Sequence, residues 1–157
     1  MQPSSTAKAT TMLTVIFGYT VVLHLALPVI AVFLKTQSDP QYLDTMQVDV
    51  ANMISTEQIA LILYGVAVML LVIALKIPKA ILSKTMSALT PGTALPVEKI
   101  LVPYLVRICL FESISVVGLA IAIMTQQPLT MLPMTVVGLG GTLLMPPNAD
   151  FFRRFAG

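Results

Sequence analysis

The hydrophobic positions of this chain form long, nearly uninterrupted runs, and most polar positions lie between those runs. Four runs are long enough to predict membrane-spanning helices, at residues 12–34, 59–75, 100–124 and 129–145. About 20 apolar residues suffice, because a helix rises about 1.5 Å per residue and the hydrocarbon core of a bilayer is about 30 Å thick. The pattern therefore predicts an all-α integral membrane protein.

The polar segments predict how the rest of the chain is organised. Residues 1–11 are polar and predict a flexible N-terminal tail. The four apolar runs predict that residues 1–157 form a single four-helix transmembrane domain. Residues 78–89 place apolar side chains at helical spacing, with Lys79 and Lys84 elsewhere on the helix surface. This pattern is typical of an amphipathic helix in the membrane interface, with its lysines directed toward lipid phosphates.

The basic residues predict which side of the membrane each connection faces. The 35–55 connection has one lysine and the 125–128 hairpin has none. Cytoplasmic loops are enriched in Lys and Arg, so both termini and the 76–99 connection are predicted to be cytoplasmic. The residues that favour this orientation are Lys8, Lys76, Lys79, Lys84, Lys99, Arg107, Arg153 and Arg154, of which Arg153 and Arg154 are expected at the interface.

Composition argues against several classes of function. Of the 157 residues, 57% are hydrophobic and 10% are charged, and the formal net charge is +2. Soluble domains have about a quarter charged residues. The sequence contains no P-loop, HExxH motif or basic patch for nucleic acid, and one cysteine with one histidine is too few for a typical metal site. We therefore expect no enzyme activity, cofactor, metal or nucleic-acid partner.

Glu112 is the residue that departs most clearly from a purely membrane-spanning role. An ionisable side chain inside an apolar run costs several kcal/mol unless it is neutral, paired or facing an aqueous cavity. Glu112 can be a structural carboxyl group, bonded to a serine or a carbonyl or paired with Arg107; it can be a contact to another subunit; or it can be a proton or cation site. Arg107 points about 140° away from Glu112 on a helix, and Ser115 about 60° away.

His24 is a second candidate, because it interrupts the first apolar run. It can serve as a proton relay or a metal ligand, or it can be a neutral imidazole bonded to a neighbouring helix. Pro28 follows four residues later and removes a backbone donor, which frees a carbonyl group near residue 24.

Small residues predict how the third and fourth helices pack. Gly118 and Ala122 are four residues apart on the third helix, and Gly138 and Thr142 have the same spacing on the fourth, with Gly141 nearby. Small side chains at this spacing let two helix backbones approach closely. We expect the third and fourth helices to pack through these faces.

The segment 111–122, FESISVVGLAIA, resembles the ion-binding helix of the rotary ATP synthase proteolipid, the c subunit. That helix has a membrane-embedded carboxylate followed six residues later by Gly-Leu and then by small and branched apolar residues. The resemblance implies that Glu112 carries a proton and that Ser115 is a candidate ligand.

These features predict a non-catalytic accessory or scaffolding subunit of a larger membrane complex, a bioenergetic complex being one candidate. Its expected partners are the lipid bilayer and other membrane protein subunits, and the expected location is the bacterial inner membrane. The alternative is a small membrane protein that translocates protons or cations through Glu112. A third hypothesis is a lipid-interacting protein that uses the 78–89 segment.

Overall fold

The computed structural model describes residues 5–46, 53–87, 97–144 and 147, and nearly all of them are helical. Within these ranges the chain contains no β-strand. In chain order the elements are α1 (Ser5–Ser38), α2 (Tyr42–Thr45), α3 (Gln58–Ser87), α4 (Val97–Thr125), a 3-10 turn (Pro128–Met131) and α5 (Leu132–Leu143). Residues 5–11, predicted as part of a flexible tail, form the first turns of α1.

Three of the described helices are long and apolar enough to cross a bilayer. Their candidate spans are Thr10–Ser38, Gln58–Ile81 and Leu101–Thr125. Such segments remain helical in an apolar medium because a helix pairs its backbone N–H and C=O groups within itself. The structure therefore has the helical, membrane-protein character that the first three apolar runs predict.

The fourth apolar run forms a shorter helix than the sequence predicts. α5 has 12 residues, and the 3-10 turn precedes it. Twelve residues rise about 18 Å, against the roughly 30 Å of a hydrocarbon core. Pro128 starts the 3-10 turn, and residues 145–146 lie outside the described part of the chain. The predicted span of 129–145 is therefore only partly formed as α-helix.

The 78–89 segment is not a separate helix, which corrects the prediction of an independent interfacial element. α3 continues through Pro78 and ends at Ser87, while residues 88–89 lie outside the described ranges. Pro78 has no N–H to donate to the carbonyl of Ala74, but a neighbouring helix can compensate a proline inside a long apolar helix. Lys79 and Lys84 are both exposed on this continuation of α3.

α4 is the central helix, because α1, α3 and α5 all pack against it. The most apolar part of its span is 44% buried, compared with 22% for α1 and 17% for α3. Two hydrophobic clusters stabilise this packing. One cluster contains Leu13, Ala67, Ala74, Tyr104, Ile108, Phe111 and Ile114, and the other contains Leu27, Ala31, Ala122 and Met131.

The turn after α4 returns the chain along the same helix. Gln126 adopts a left-handed conformation with φ of 56°. The Gln127 N–H donates to the Ala122 carbonyl at 3.1 Å, and the Gln126 N–H donates to the Ile123 carbonyl at 3.4 Å. These are the two bonds of a Schellman motif, which ends an α-helix by satisfying its last carbonyls. The motif places α5 beside α4 after a very short connection.

Candidate functional site

The most developed polar site lies where α1, α4 and α5 meet. His24 Nδ1 is 2.8 Å from Ser115 Oγ, and His24 Nε2 is 3.2 Å from Thr142 Oγ1. All three side chains have 0% exposure. Each helix therefore contributes one polar side chain to a hydrogen-bonded cluster, which we call the His24 site.

The His24 site lies near the middle of two candidate spans. His24 is the central residue of Thr10–Ser38, and Ser115 is two residues past the centre of Leu101–Thr125. Along α1 the site falls between Leu13 of one hydrophobic cluster and Leu27 of the other. An unpaired polar group at this depth would cost several kcal/mol, so the hydrogen bonds between helices are needed for these residues to be buried.

Two backbone carbonyls complete the site. The Thr142 hydroxyl donates to the Gly138 carbonyl at 3.0 Å, a bond within α5. Ser115 Oγ is 3.5 Å from the Met134 carbonyl, which is the outer limit for a hydrogen bond. Ser115 can therefore bond to His24 or, after a small shift, to α5.

Gly138 allows α5 to approach the imidazole. A Cβ atom at this position would contact Ser115 Oγ and would lie 2.9 Å from His24 Cε1 and 2.9 Å from the Phe111 carbonyl oxygen. No real side chain tolerates such distances without a shift of its neighbours. The absence of a side chain at Gly138 is thus part of how the sequence builds the His24 site.

Two other glycines lie along the same contact between α4 and α5. A Cβ on Gly118 would be 2.6 Å from Met134 Cβ, and a Cβ on Gly141 would contact the Phe111 ring. Ala122 is 3% exposed and lies in the cluster with Met131. Gly118, Gly138 and Gly141 therefore lie at the α4–α5 contact, whereas Ala122 packs against α1 and the 3-10 turn. Thr142 of α5 also bonds to α1.

Glu112 lies outside the His24 site. It is half-buried on α4, next to the outer line formed by Cys109, Val116 and Ile123, which are exposed. In the described part of the chain its carboxylate forms no hydrogen bond or ion pair. Arg107 does not pair with Glu112; its guanidinium carbon lies 5.8 Å from the centre of the Phe111 ring. The structure thus separates Glu112 and Arg107 from the pair His24 and Ser115.

The site has the chemistry of a hydrogen-bonding and proton-accepting cluster. Among the described residues, no group of three or more His, Cys, Asp or Glu side chains could hold a metal ion. Among the described residues Glu112 is the only carboxylate in the apolar span of α4, and it forms no hydrogen bond with the imidazole. The cluster can bind helices together and can take up or release a proton at His24.

Thr142 and Ser115 were candidates from the sequence, but their meeting at His24 was not predicted. Ser115 and Thr142 are 91 and 118 positions from His24, and helical periodicity gives no information on contacts at that range. The available signal was that each polar residue lies inside an apolar run and therefore needs a partner. Arg153 and Arg154 lie outside the described residues.

The chain matches no protein-family model, no curated protein and no solved structure.

Proposed function

We propose that this chain is a non-catalytic accessory or scaffolding subunit of a larger membrane protein complex, a bioenergetic complex being one candidate. The observation that supports this most directly is the position of Glu112. Glu112 is part-buried beside the exposed line of α4, and its carboxylate takes no part in the His24 site and forms no ion pair with another described residue. A group that is costly to place in lipid is expected to find its partner on another chain.

The faces of the long helices support the same proposal. Much of α1 and α3 is covered by exposed apolar side chains, among them Val15, Val22, Val29, Leu61 and Val68. Lipid tails cover such faces, and so can helices of another subunit. α3 in particular packs mainly against α4.

The proposal includes four crossings of the bacterial inner membrane, with both termini and the 76–99 connection in the cytoplasm. The described part of α5 accounts for about half of the fourth crossing, since its 12 residues rise about 18 Å. The distribution of Lys and Arg favours this orientation. Lys79 and Lys84 are exposed where α3 passes the end of its span.

A second candidate function is proton or cation translocation through Glu112. It is favoured by the resemblance of residues 111–122 to a proton-carrying helix and by the presence of the His24 site near the same depth. Ser115, the ligand that the resemblance implies, bonds instead to His24 and points about 100° away from the exposed Val116. Translocation would therefore need Glu112 to act without Ser115.

The two functions are distinguished by comparing wild type with Glu112→Gln after purification in mild detergent. Ser113→Ala is the matched control, because Ser113 is the next residue and its hydroxyl bonds only to the Cys109 carbonyl within α4. An accessory subunit is expected to co-purify with defined chains in a fixed ratio, and Glu112→Gln is expected to lose them while Ser113→Ala keeps them.

Mass spectrometry identifies the chains, and proton flux into liposomes gives the second readout. If wild type and Glu112→Gln both run as the same lone species, the accessory proposal is wrong. If Glu112→Gln assembles normally but abolishes flux, translocation through Glu112 is the better description.

A further inference from the structure

We propose that the His24 site binds a proton, and that protonation of His24 draws α5 more tightly against α4 through Ser115 and the Met134 carbonyl. The proposal rests on the hydrogen bonds around the imidazole and on the position of the imidazole beside the last turn of α5. It is independent of the role of Glu112.

The hydrogen bonds assign one tautomer to the neutral imidazole. Thr142 has a single hydroxyl proton and donates it to the Gly138 carbonyl at 3.0 Å, so at 3.2 Å from His24 Nε2 it can only accept. Nε2 therefore bears the hydrogen and Nδ1 is the acceptor. Ser115 donates to Nδ1 at 2.8 Å. The three hydrogen bonds therefore share one direction: Ser115 donates to His24, His24 donates to Thr142, and Thr142 donates to the Gly138 carbonyl of α5.

The protonated imidazole keeps the same two hydrogen-bond partners, Ser115 and Thr142. When Nδ1 takes up a proton, its N–H donates to Ser115 Oγ, and the Ser115 hydroxyl hydrogen must turn to another acceptor. The Met134 carbonyl, 3.5 Å away, is that acceptor. Ser115 thus keeps its bond to His24 as an acceptor and gains a bond to α5 as a donor, which shortens the distance between α4 and α5 at Met134.

The end of α5 favours the positive charge. Thr142 is the penultimate residue of α5, so His24 contacts the last turn of that helix. The C-terminal end of a helix carries partial negative charge on its unpaired carbonyls and stabilises a nearby cation. This field opposes the cost of burying an imidazolium ion.

In the part of the chain that the structure describes, no titratable side chain hydrogen-bonds to the imidazole, whose partners are Ser115 and Thr142. The described α5 and the 3-10 turn contain no titratable residue. α1 itself contributes Lys8, Tyr19 and Lys35, and α4 contributes Glu98, Lys99, Tyr104, Arg107, Cys109 and Glu112, of which Glu112 points about 60° away from Ser115. A signal from labelled histidine is assigned to His24, because the chain has one histidine.

Thr135 offers a further polar group on the same face of α5. It lies seven residues before Thr142, about 10 Å nearer the 126–127 turn. Its side chain is 6% exposed and its Oγ1 has no hydrogen-bond partner in the described part of the chain. α5 therefore buries two threonine hydroxyl groups on one face, of which the Thr142 hydroxyl is bonded and the Thr135 hydroxyl is not, within the described part of the chain.

The test uses the full chain in liposomes, with isotope-labelled histidine. The chain has one histidine, so nitrogen NMR gives the signals of a single imidazole. At about pH 8 we expect the Nε2–H tautomer, and on titration to about pH 5 we expect protonation at Nδ1. An Nδ1–H tautomer at the higher pH, or an imidazole still neutral at the lower pH in the folded chain, overturns the proposal.

Two variants test the roles of Ser115 and α5. Ser115→Ala removes the group that accepts from the imidazolium, and we expect the proton affinity of His24 to fall about tenfold or more. Thr20→Val is the control, since Thr20 is one turn earlier on α1 and bonds only to the Ile16 carbonyl. Equal proton affinities in these two variants would contradict the role of Ser115.

Hydrogen exchange of α5 amides gives the conformational readout. In wild type we expect greater protection of α5 at the lower pH, after correction for the intrinsic pH dependence of exchange. In His24→Gln, which cannot take up the proton, this difference is expected to disappear. Protection of α5 in wild type that does not change across the titration overturns the coupling between His24 and α5.

Discussion

The substitution Gly138→Ala tests whether the close approach of α5 builds the His24 site. The new Cβ would meet the Phe111 carbonyl oxygen and His24 Cε1 at 2.9 Å, and it would also contact Ser115 Oγ. A backbone carbonyl cannot rotate away as the end of a flexible side chain can. α5 must therefore move away from α4.

The size of this movement follows from the contact distances. Ordinary van der Waals contact begins near 3.4 Å, so a carbonyl at 2.9 Å requires a shift of about 0.5 Å. A shift of that size along the His24–Thr142 bond, now 3.2 Å, would lengthen it beyond hydrogen-bonding distance. Overpacking of this kind costs about 1–3 kcal/mol.

Gly140→Ala is the matched control on the same helix. A Cβ on Gly140 would meet nothing within 4 Å, so this substitution adds only the helix propensity of alanine, worth up to about 1 kcal/mol. Both variants would be unfolded in mixed micelles of a mild and a denaturing detergent and followed by circular dichroism. We expect Gly138→Ala to unfold at less denaturing detergent than wild type, and Gly140→Ala to unfold at the same or more. Equal midpoints for the two variants would refute the role that we assign to Gly138.

Two further substitutions test the contacts of α4 and α5 in the same unfolding assay. Phe111→Ala removes a ring that is 2% exposed and lies against Gly141, and we expect it to lower the free energy of unfolding by about 3 kcal/mol. Val116→Ala is the control at a 51% exposed position and should change the free energy of unfolding by no more than about 0.5 kcal/mol. A similar loss in both variants would contradict the packing of Phe111. Thr142→Val keeps the shape of the side chain but removes the acceptor of His24 Nε2, and we expect a loss of about 1 kcal/mol. Thr14→Val, which removes a hydroxyl that bonds only to the Thr10 carbonyl, should have little effect, and an equal effect of the two threonine substitutions would contradict the role of Thr142.

The long helices could be predicted because length and hydrophobicity are local properties. The first three apolar runs correspond to helices of spanning length. The 78–89 segment was predicted as a separate helix, but α3 continues through Pro78, because a proline inside a long apolar helix is tolerated when neighbouring groups compensate the lost bond. The fourth run was predicted as a helix over residues 129–145, but α5 has 12 residues. Hydrophobicity alone does not show that Pro128 starts a 3-10 turn before α5.

The site could be predicted only in its parts. Glu112 ranked first from the sequence because a charged group in an apolar run is the strongest local signal. The structure instead joins His24 to two hydroxyl groups, which are weak signals taken one at a time. Their contact depends on the angle and depth at which three helices pack, and Gly138 permits that packing without having any side chain chemistry of its own.

The shortness of α5 also bears on how the chain is synthesised and inserted. The apolar helical segment Pro128–Leu143, which joins the 3-10 turn to α5, has 16 residues, fewer than the roughly 20 that a helix needs to span the bilayer. α4 leaves the ribosome immediately before α5 and is joined to it through the turn at Gln126–Gln127. α5 is therefore expected to enter the membrane as the second arm of a hairpin with α4, after α1 has already positioned His24 to receive it.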